Sequence, residues 1–402
     1  MTSESAAPSW PALDHEPVEW VSRHATSGVG PDITPGRTGT YLAAVPPTIA
    51  TLKVALTGET LALAETATAE LSRFDASLGA EIAPFTALLL RSESAASSRI
   101  ENLSASARAI FTAELGQSGR KNADLIVANT RAMRAALQLA DDLTVDAVLA
   151  MHRELMLGDP RHPAGEFRRE PVWIGTSFSS PFGAEFVAPR FERVPELMSD
   201  VMRFARRADV PRLAHIAIAH AQFETIHPFT DGNGRTGRAL VQAMLRASGV
   251  TRNVTVPVSA GLLTNVNAYH RGLTAYRSGD ADSFVQLMAE AALIAVENAH
   301  QLVLAVREVQ QTWGERVKAR RDSSVWRILE HVVRQPVTTA ALVADHLGMT
   351  VTNVYGPLNA LTEQGVLAAK TEHKIGRVWR SPEILAALDA FAERAGRRAT
   401  EV

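Results

Sequence analysis

The 402-residue chain contains no cysteine. That excludes disulfides, thiolate metal sites and a cysteine nucleophile, and it is compatible with a reducing compartment. No Gly-x-x-x-x-Gly-Lys-(Ser/Thr) loop occurs, so phosphates are not cradled in that way. No stretch approaches the roughly 20 apolar residues that a membrane span needs. The start, Met1-Thr2-Ser3-Glu4-Ser5-Ala6-Ala7-Pro8, lacks the basic segment and apolar run of a secretory signal. Charge is balanced as well: a net of −2 gives no global pull toward nucleic acid or anionic membrane. No internal repeat stands out. A cytoplasmic protein without membrane contact is expected. With 46% apolar and 21% charged residues the composition is that of a cored protein, and the length predicts two or three domains.

What the chain does have is concentrated in His227-Pro228-Phe229-Thr230-Asp231-Gly232-Asn233-Gly234-Arg235-Thr236-Gly237-Arg238. Gly-Asn-Gly lets successive backbone N–H groups converge as an anion nest, and a following helix N-terminus strengthens it. Arg235 and Arg238, spaced i, i+3, bring two guanidinium forks suited to phosphate oxygens. Asp231 stands where a carboxylate could hold a Mg²⁺ ion that bridges phosphates. His227 offers a base with an unperturbed pKa of about 6.5. In-line attack on phosphorus needs positioning, charge neutralisation and removal of one proton, and this segment holds residues for each.

At these residues the sequence resembles the Fic family, whose core motif reads His-x-Phe-x-(Asp/Glu)-Gly-Asn-Gly-Arg-x-x-Arg; every defined position is matched. The resemblance implies a protein adenylyltransferase that moves AMP from Mg·ATP to a Ser, Thr or Tyr hydroxyl of a target protein and releases pyrophosphate. By it, His227 deprotonates the hydroxyl and Asp231 binds Mg²⁺. Asn233, with the Gly232 and Gly234 amides, holds the α and β phosphates, Arg235 the β phosphate and Arg238 the γ phosphate, while Phe229 anchors the loop. Upstream, Ser97-Ser98-Arg99-Ile100-Glu101-Asn102 matches the family's inhibitory pattern (Ser/Thr)-x-x-x-Glu-(Gly/Asn). That resemblance implies that Glu101 pairs with Arg238 and takes the space of the γ phosphate, with Ser97 one turn earlier on the same helix face. A β-hairpin flap, with Trp173, Ile174 and Gly175 on its first strand, would clamp the target by adding it as an edge strand.

The expected fold is mainly α: a Fic-type helical core with a β-hairpin flap, plus a small winged helix-turn-helix domain. Residues 1–48 hold Pro8, Pro11, Pro17, Pro31, Pro35, Pro46 and Pro47 of the chain's 20 prolines and read as an extended or disordered arm. Residues 49–120 read as an amino-terminal helical region carrying the inhibitory helix, with one helix over Ser92–Leu115. The catalytic core follows at 121–310, its hairpin formed by Pro171–Gly175 and Ala184–Ala188 around a Ser/Pro/Gly turn. The base of the nucleotide is expected near Asn265–Tyr276. At 322–392, helices over Val325–Arg334, Thr339–Leu347 and Val351–Gln364 precede strands Leu367–Thr371 and Arg377–Arg380, the order of a winged helix. From 315 to 402 there are thirteen Lys/Arg against ten Asp/Glu, but Val351–Gln364 has neither Arg nor Lys. Contact with protein, including pairing as a homodimer, is therefore favoured over DNA for this module.

Three other readings are open to the same residues. The site could remove AMP, or use a nucleotide other than ATP. The chain could instead be a winged-helix regulator that senses ATP. A metal hydrolase built on His215, His220, His227 and Asp231 is disfavoured, because His215 and His220, five apart, diverge by about 140° around a helix.

Overall fold

The computed structural model describes residues 10–21, 38–79, 82–116, 121–175, 180–372 and 376–396. The chain opens with strands β1 (Asp14–Trp20) and β2 (Gly39–Val45). Helices α1 (Gly58–Ser77), α2 (Ile82–Ile100), α3 (Ala107–Glu114), α4 (Lys121–Gln138) and α5 (Val145–Met156) follow. Two short strands, β3 (Trp173–Ile174) and β4 (Phe186–Val187), interrupt the helices. Then come α6 (Val194–Ala205), α7 (Arg212–Ile226), α8 (Asn233–Ala247), α9 (Val258–Leu263), α10 (Val266–Arg277) and α11 (Ala281–Arg316). The last section holds α12 (Ser324–Arg334), β5 (Val337–Thr339), α13 (Ala340–Leu347), α14 (Val351–Glu363), β6 (Ala368–Glu372), β7 (Gly376–Arg380) and α15 (Pro382–Gly396).

The core forms around α7 and α11. Every residue of α7 from Leu213 to Ile226 is buried, as a helix with apolar residues on all sides must be. Leu213, Ile216, Ile218, Phe223 and Ile226 each contribute about 1.5–3 kcal/mol by leaving water. By length and composition α11 could cross a membrane, but 56% of its apolar window is buried inside the protein, where Phe284, Met288, Ala292, Ala295, Ala299 and Leu302 pack on neighbouring helices. Glu290 and Glu297 interrupt its apolar run in the sequence.

Four expectations need correction. The arm over 1–48 is not merely extended: β1 and β2 pair antiparallel, Asp14 opposite Val45 through Trp20 opposite Gly39. Their alternating burial leaves Tyr41 and Ala43 inside, while residues 1–9 and 22–37 lie outside the described residues. The single helix over Ser92–Leu115 is two helices, α2 and α3. Asn102 takes a left-handed conformation, φ 60°. The N–H of Leu103 then bonds the carbonyl of Ser98 at 3.0 Å, and that of Asn102 the carbonyl of Arg99 at 3.0 Å. This is a Schellman cap, and only Gly or a short polar residue such as Asn enters that conformation cheaply.

The core also does not end at 310, since α11 runs on to Arg316. And the section 322–392 is not set apart: α15 packs back on α2, α3, α9 and α11. There Arg99 donates to the carbonyl of Ala392 at 2.8 Å, and Asp389 accepts the N–H of Ala107 at 2.8 Å. Within that section the expected helices and two strands are present. A third strand, β5, joins them in the order β5-β7-β6, all antiparallel. Residues 373–375, between β6 and β7, lie outside the described residues.

Candidate active site

The loop from His227 to Gly232 joins α7 to α8. His227 caps α7 in a left-handed conformation, φ 51°, its N–H on the carbonyl of Phe223 at 3.0 Å. A non-glycine residue holds that conformation only when its surroundings impose it. Here Arg168 does so: it donates to the carbonyls of His227 at 2.8 Å, Glu170 at 3.0 Å and Pro189 at 2.5 Å, and its own N–H reaches the carbonyl of Pro228 at 2.9 Å. Phe229, fully buried, stacks on the ring of His152 at 3.6 Å between centroids. His152 accepts the N–H of Gly165 at Nδ1, 2.9 Å, which leaves its Nε2–H to donate to the carbonyl of Asp231 at 3.1 Å. Burial holds its pKa down at about 4, so the ring is neutral.

His227 is neutral for related reasons. Burial, then the charges of Arg277 and Arg168, lower its pKa to about 4, although its bond to the Glu224 carbonyl acts the other way. That carbonyl can only accept, so Nδ1, 3.3 Å away, carries the proton. Nε2 is left with a free lone pair, the form a general base requires.

Asn233 differs from expectation. Its side-chain oxygen accepts the N–H of Phe229 at 2.8 Å, and its amide donates to the carbonyl of the same residue at 2.9 Å. Both ends of the amide are therefore used in bracing the loop, and what Asn233 offers the nest is its backbone. Gly232, at φ 79°, caps α8, where a Cβ would meet Leu155 at 2.9 Å. Asp231 accepts the N–H of Gly232 at 2.7 Å and faces Arg235 at 3.3 Å, with its side chain 45% exposed.

Glu101 lies against this nest. Arg238, 2% exposed, donates from Nε to the Ser97 hydroxyl at 2.9 Å, and from Nη2 to the Ser97 carbonyl and to Glu101 Oε1, each at 2.8 Å. The same carboxylate oxygen occupies the position that a Cβ on Gly234 would need. Burial alone would raise the pKa of Glu101, but Arg238, with help from Arg235 and His227, holds it below the usual carboxylate range. Glu101 stands on the cap of α2 rather than inside the helix, one residue before the left-handed Asn102.

An open cleft of about 1020 Å³ meets the loop, lined by Glu101, His227, Asp231, Gly232, Gly234 and Arg235 on one side and by α4 and the 155–161 segment on the other. The Asn265–Tyr276 region does not line it. Asn265 caps α10, Tyr269 bonds His220 at 2.8 Å, and Tyr276 bonds Gln222 at 2.9 Å inside the core. His215 and His220 do not converge either: His215 bonds the carbonyl of Phe204 at 2.7 Å.

Beside the loop, β3 and β4 pair antiparallel, Trp173 opposite Val187 and Ile174 opposite Phe186; residues 176–179 of the intervening turn lie outside the described residues. Arg277 lays its guanidinium on the ring of Phe186, 3.7 Å from its centroid, and so ties the hairpin to the end of α10. Trp173 meets Trp20 edge-on at 5.6 Å, joining the hairpin to the β1–β2 ribbon.

His152, Arg168 and Arg277 were missed in the sequence. His152 carried a signal, standing on the apolar face of its helix with Val148, Met151 and Leu155. Arg168 and Arg277 carried none, because their partners are main-chain carbonyls or a ring distant in sequence.

Residues 142–245, which span α5 to α8 and the loop, match the Fic/DOC family. The chain carries a Fic domain. It is 29% identical over 150 residues to protein adenylyltransferase fic-1 of Caenorhabditis elegans, covering 37% of this chain and 27% of that protein. It is 28% identical over 201 residues to protein adenylyltransferase Fic of Drosophila yakuba, covering 48% and 38%. The match thus spans about a third of the length of these curated relatives. In fold it resembles the crystal structure of a Fic family protein from Desulfovibrio desulfuricans G20, with a TM-score of 0.50 at 22% identity over 82% of this chain and 97% of that one.

Proposed function

We propose that the Fic domain transfers AMP from ATP to a hydroxyl side chain of a target protein and that Glu101 holds this activity back. The observation that carries the reading is the neutral His227, with Nε2 free, next to an anion nest bordered by Arg235 and Arg238. The hydroxyl oxygen attacks the α phosphorus as its proton passes to His227 Nε2. The bond from the α phosphorus to the bridging oxygen breaks, and pyrophosphate leaves toward the two guanidiniums. The α8 N-terminus and the backbone of Gly232, Asn233 and Gly234 steady the charge on the phosphates. Mg²⁺ would arrive with ATP. A single half-exposed carboxylate, Asp231, fits an ion held mostly by phosphate oxygens and water.

The brake follows from geometry. A carboxylate against Gly234 and Arg238 fills the space of a phosphate, repels it and occupies a guanidinium donor. For the target, Trp173, Ile174 and Gly175 offer a strand edge, and Ile174 is 39% exposed. The test is labelling of a target or of the chain itself from α-labelled ATP. Glu101→Gly is expected to raise it and Glu101→Gly with His227→Ala to abolish it. A folded, ATP-binding Glu101→Gly protein that labels nothing from any nucleotide overturns the reading.

A further inference from the structure

A second cleft, of about 580 Å³, lies in the seam between α4 and the pair α12 and α13. That is within the size range of small-molecule sites. Four guanidiniums border it from three elements: Arg91 of α2, Arg131 and Arg134 of α4, and Arg334 of α12. The carboxylates near its wall neutralise only part of this charge. Glu114 is taken up by Arg91, Nε to Oε1 at 2.8 Å and Nη2 to Oε2 at 2.9 Å. Asp345 is the other acid of the lining. Arg131 has Glu154 at only 3.8 Å. Among the described residues neither Arg134 nor Arg334 is in an ion pair, and Nε of Arg334 is buried with no acceptor. A buried guanidinium N–H without an acceptor is costly, and Arg334, which carries it, also lines the seam.

We infer that this seam is a binding site for a phosphate-bearing small molecule. Guanidiniums on opposite walls, with Arg134 and Arg334 outside any ion pair among the described residues, suit an anion with many oxygens better than a lone carboxylate. A small ligand fits better than a nucleic acid backbone, because α14, the helix that would enter a groove, does not border the cleft. The site also touches the brake. Arg91 donates to Gln335 at 3.1 Å, and it stands on the same helix that ends at Glu101. A ligand drawing α12 toward α4 therefore pulls on the section that grips α2; this consequence, unlike the site itself, rests on the proposed function.

Calorimetric titration of the full chain with inorganic pyrophosphate tests the site by binding alone, so it stands or falls apart from AMP transfer. Saturable binding that persists in Arg235→Ala is expected, weakened at least roughly tenfold when Arg134→Glu or Arg334→Gln is added, while any further binding that Arg235→Ala removes belongs to the Fic loop. Arg134 is exposed, so Arg134→Glu should keep the parent Tm, which is measured alongside. Binding lost in Arg235→Ala but kept in Arg134→Glu would belong to the Fic loop and overturn the inference. So would the absence of binding up to about 10 mM. A DNA duplex that binds through Arg134 where pyrophosphate does not would make the seam a nucleic-acid surface and equally overturn it.

Discussion

One oxygen of Glu101 lies 2.8 Å from Nη2 of Arg238 and at the position a side chain on Gly234 would claim. A carboxylate so placed would oppose an incoming phosphate by charge and by volume together. Glu101→Gln separates the two, since the amide keeps the volume and loses the charge. Its labelling rate from α-labelled ATP is expected to fall between those of the parent and Glu101→Gly. Each tenfold step corresponds to about 1.4 kcal/mol. A Glu101→Gln rate equal to that of Glu101→Gly would mean that charge alone is the brake.

With His227 as the proposed base, its depressed pKa of about 4 sets the acid side of the expected pH profile. In the Glu101→Gly protein, activity should pass through pH 6.5 without an inflection and fall only toward pH 4 to 5, read from initial rates across pH 4.5–8. Stability follows the same histidines. His152, His227 and His331, with folded pKa values near 4, and His220, near 3, bind fewer protons than the unfolded chain between those values and about 6.5, so stability falls as pH drops through that window. Glu93 and Glu224, raised to about 7 by burial, act oppositely: stability from them is present below the unfolded value and is lost as pH rises toward 7. With four histidines against two carboxylates, Tm should decrease from pH 6.5 to pH 4.5.

Much of the site was readable because it is local. His227 to Arg238 are contiguous, and the nest and both guanidiniums depend on one loop and one helix start. Glu101 was found by its pattern, but its setting was not: Ala and Ser continue the helical texture through Ala105, and one residue, Asn102, ends the helix. The fold class was legible from periodicity. The pairing of β1 with β2 was not, because Pro17 and the proline-rich flanks hid two strands whose register is set by each other and by the hairpin. The residues that fix the catalytic loop were hidden for a related reason, since Arg168 acts on carbonyls dozens of positions away.

Arg168 is a positioning residue, and the expected defect is in rate. It is 3% exposed, its pKa lowered to about 10 by burial, and it holds the His227 and Pro189 carbonyls together. Arg168→Met leaves buried carbonyls without donors, at a cost on the order of 3 kcal/mol, visible as a lower Tm. In the Glu101→Gly protein kcat should fall roughly tenfold or more while KM for ATP changes less, because the base is displaced and the nest is kept. Arg168→Lys should recover little of this, since one ammonium cannot span carbonyls that a fork bridges.

Asn233 distinguishes a brace from a phosphate ligand. Its amide satisfies both the N–H and the carbonyl of Phe229, so Asn233→Ala strands two buried main-chain groups and should cost about 1–3 kcal/mol of stability. Asn233→Asp keeps the acceptor for the N–H, loses the donor to the carbonyl, and sets a negative charge at the start of α8. Its Tm should fall as well, but its ATP binding in the Glu101→Gly background should fall further than that of Asn233→Ala, since the new charge faces the phosphates. Thermal melts and ATP titrations of the two variants decide between the roles. An Asn233→Ala protein with unchanged Tm and lost ATP binding would make the side chain a direct phosphate ligand, and the two bonds to Phe229 would then be those it gives up when nucleotide enters.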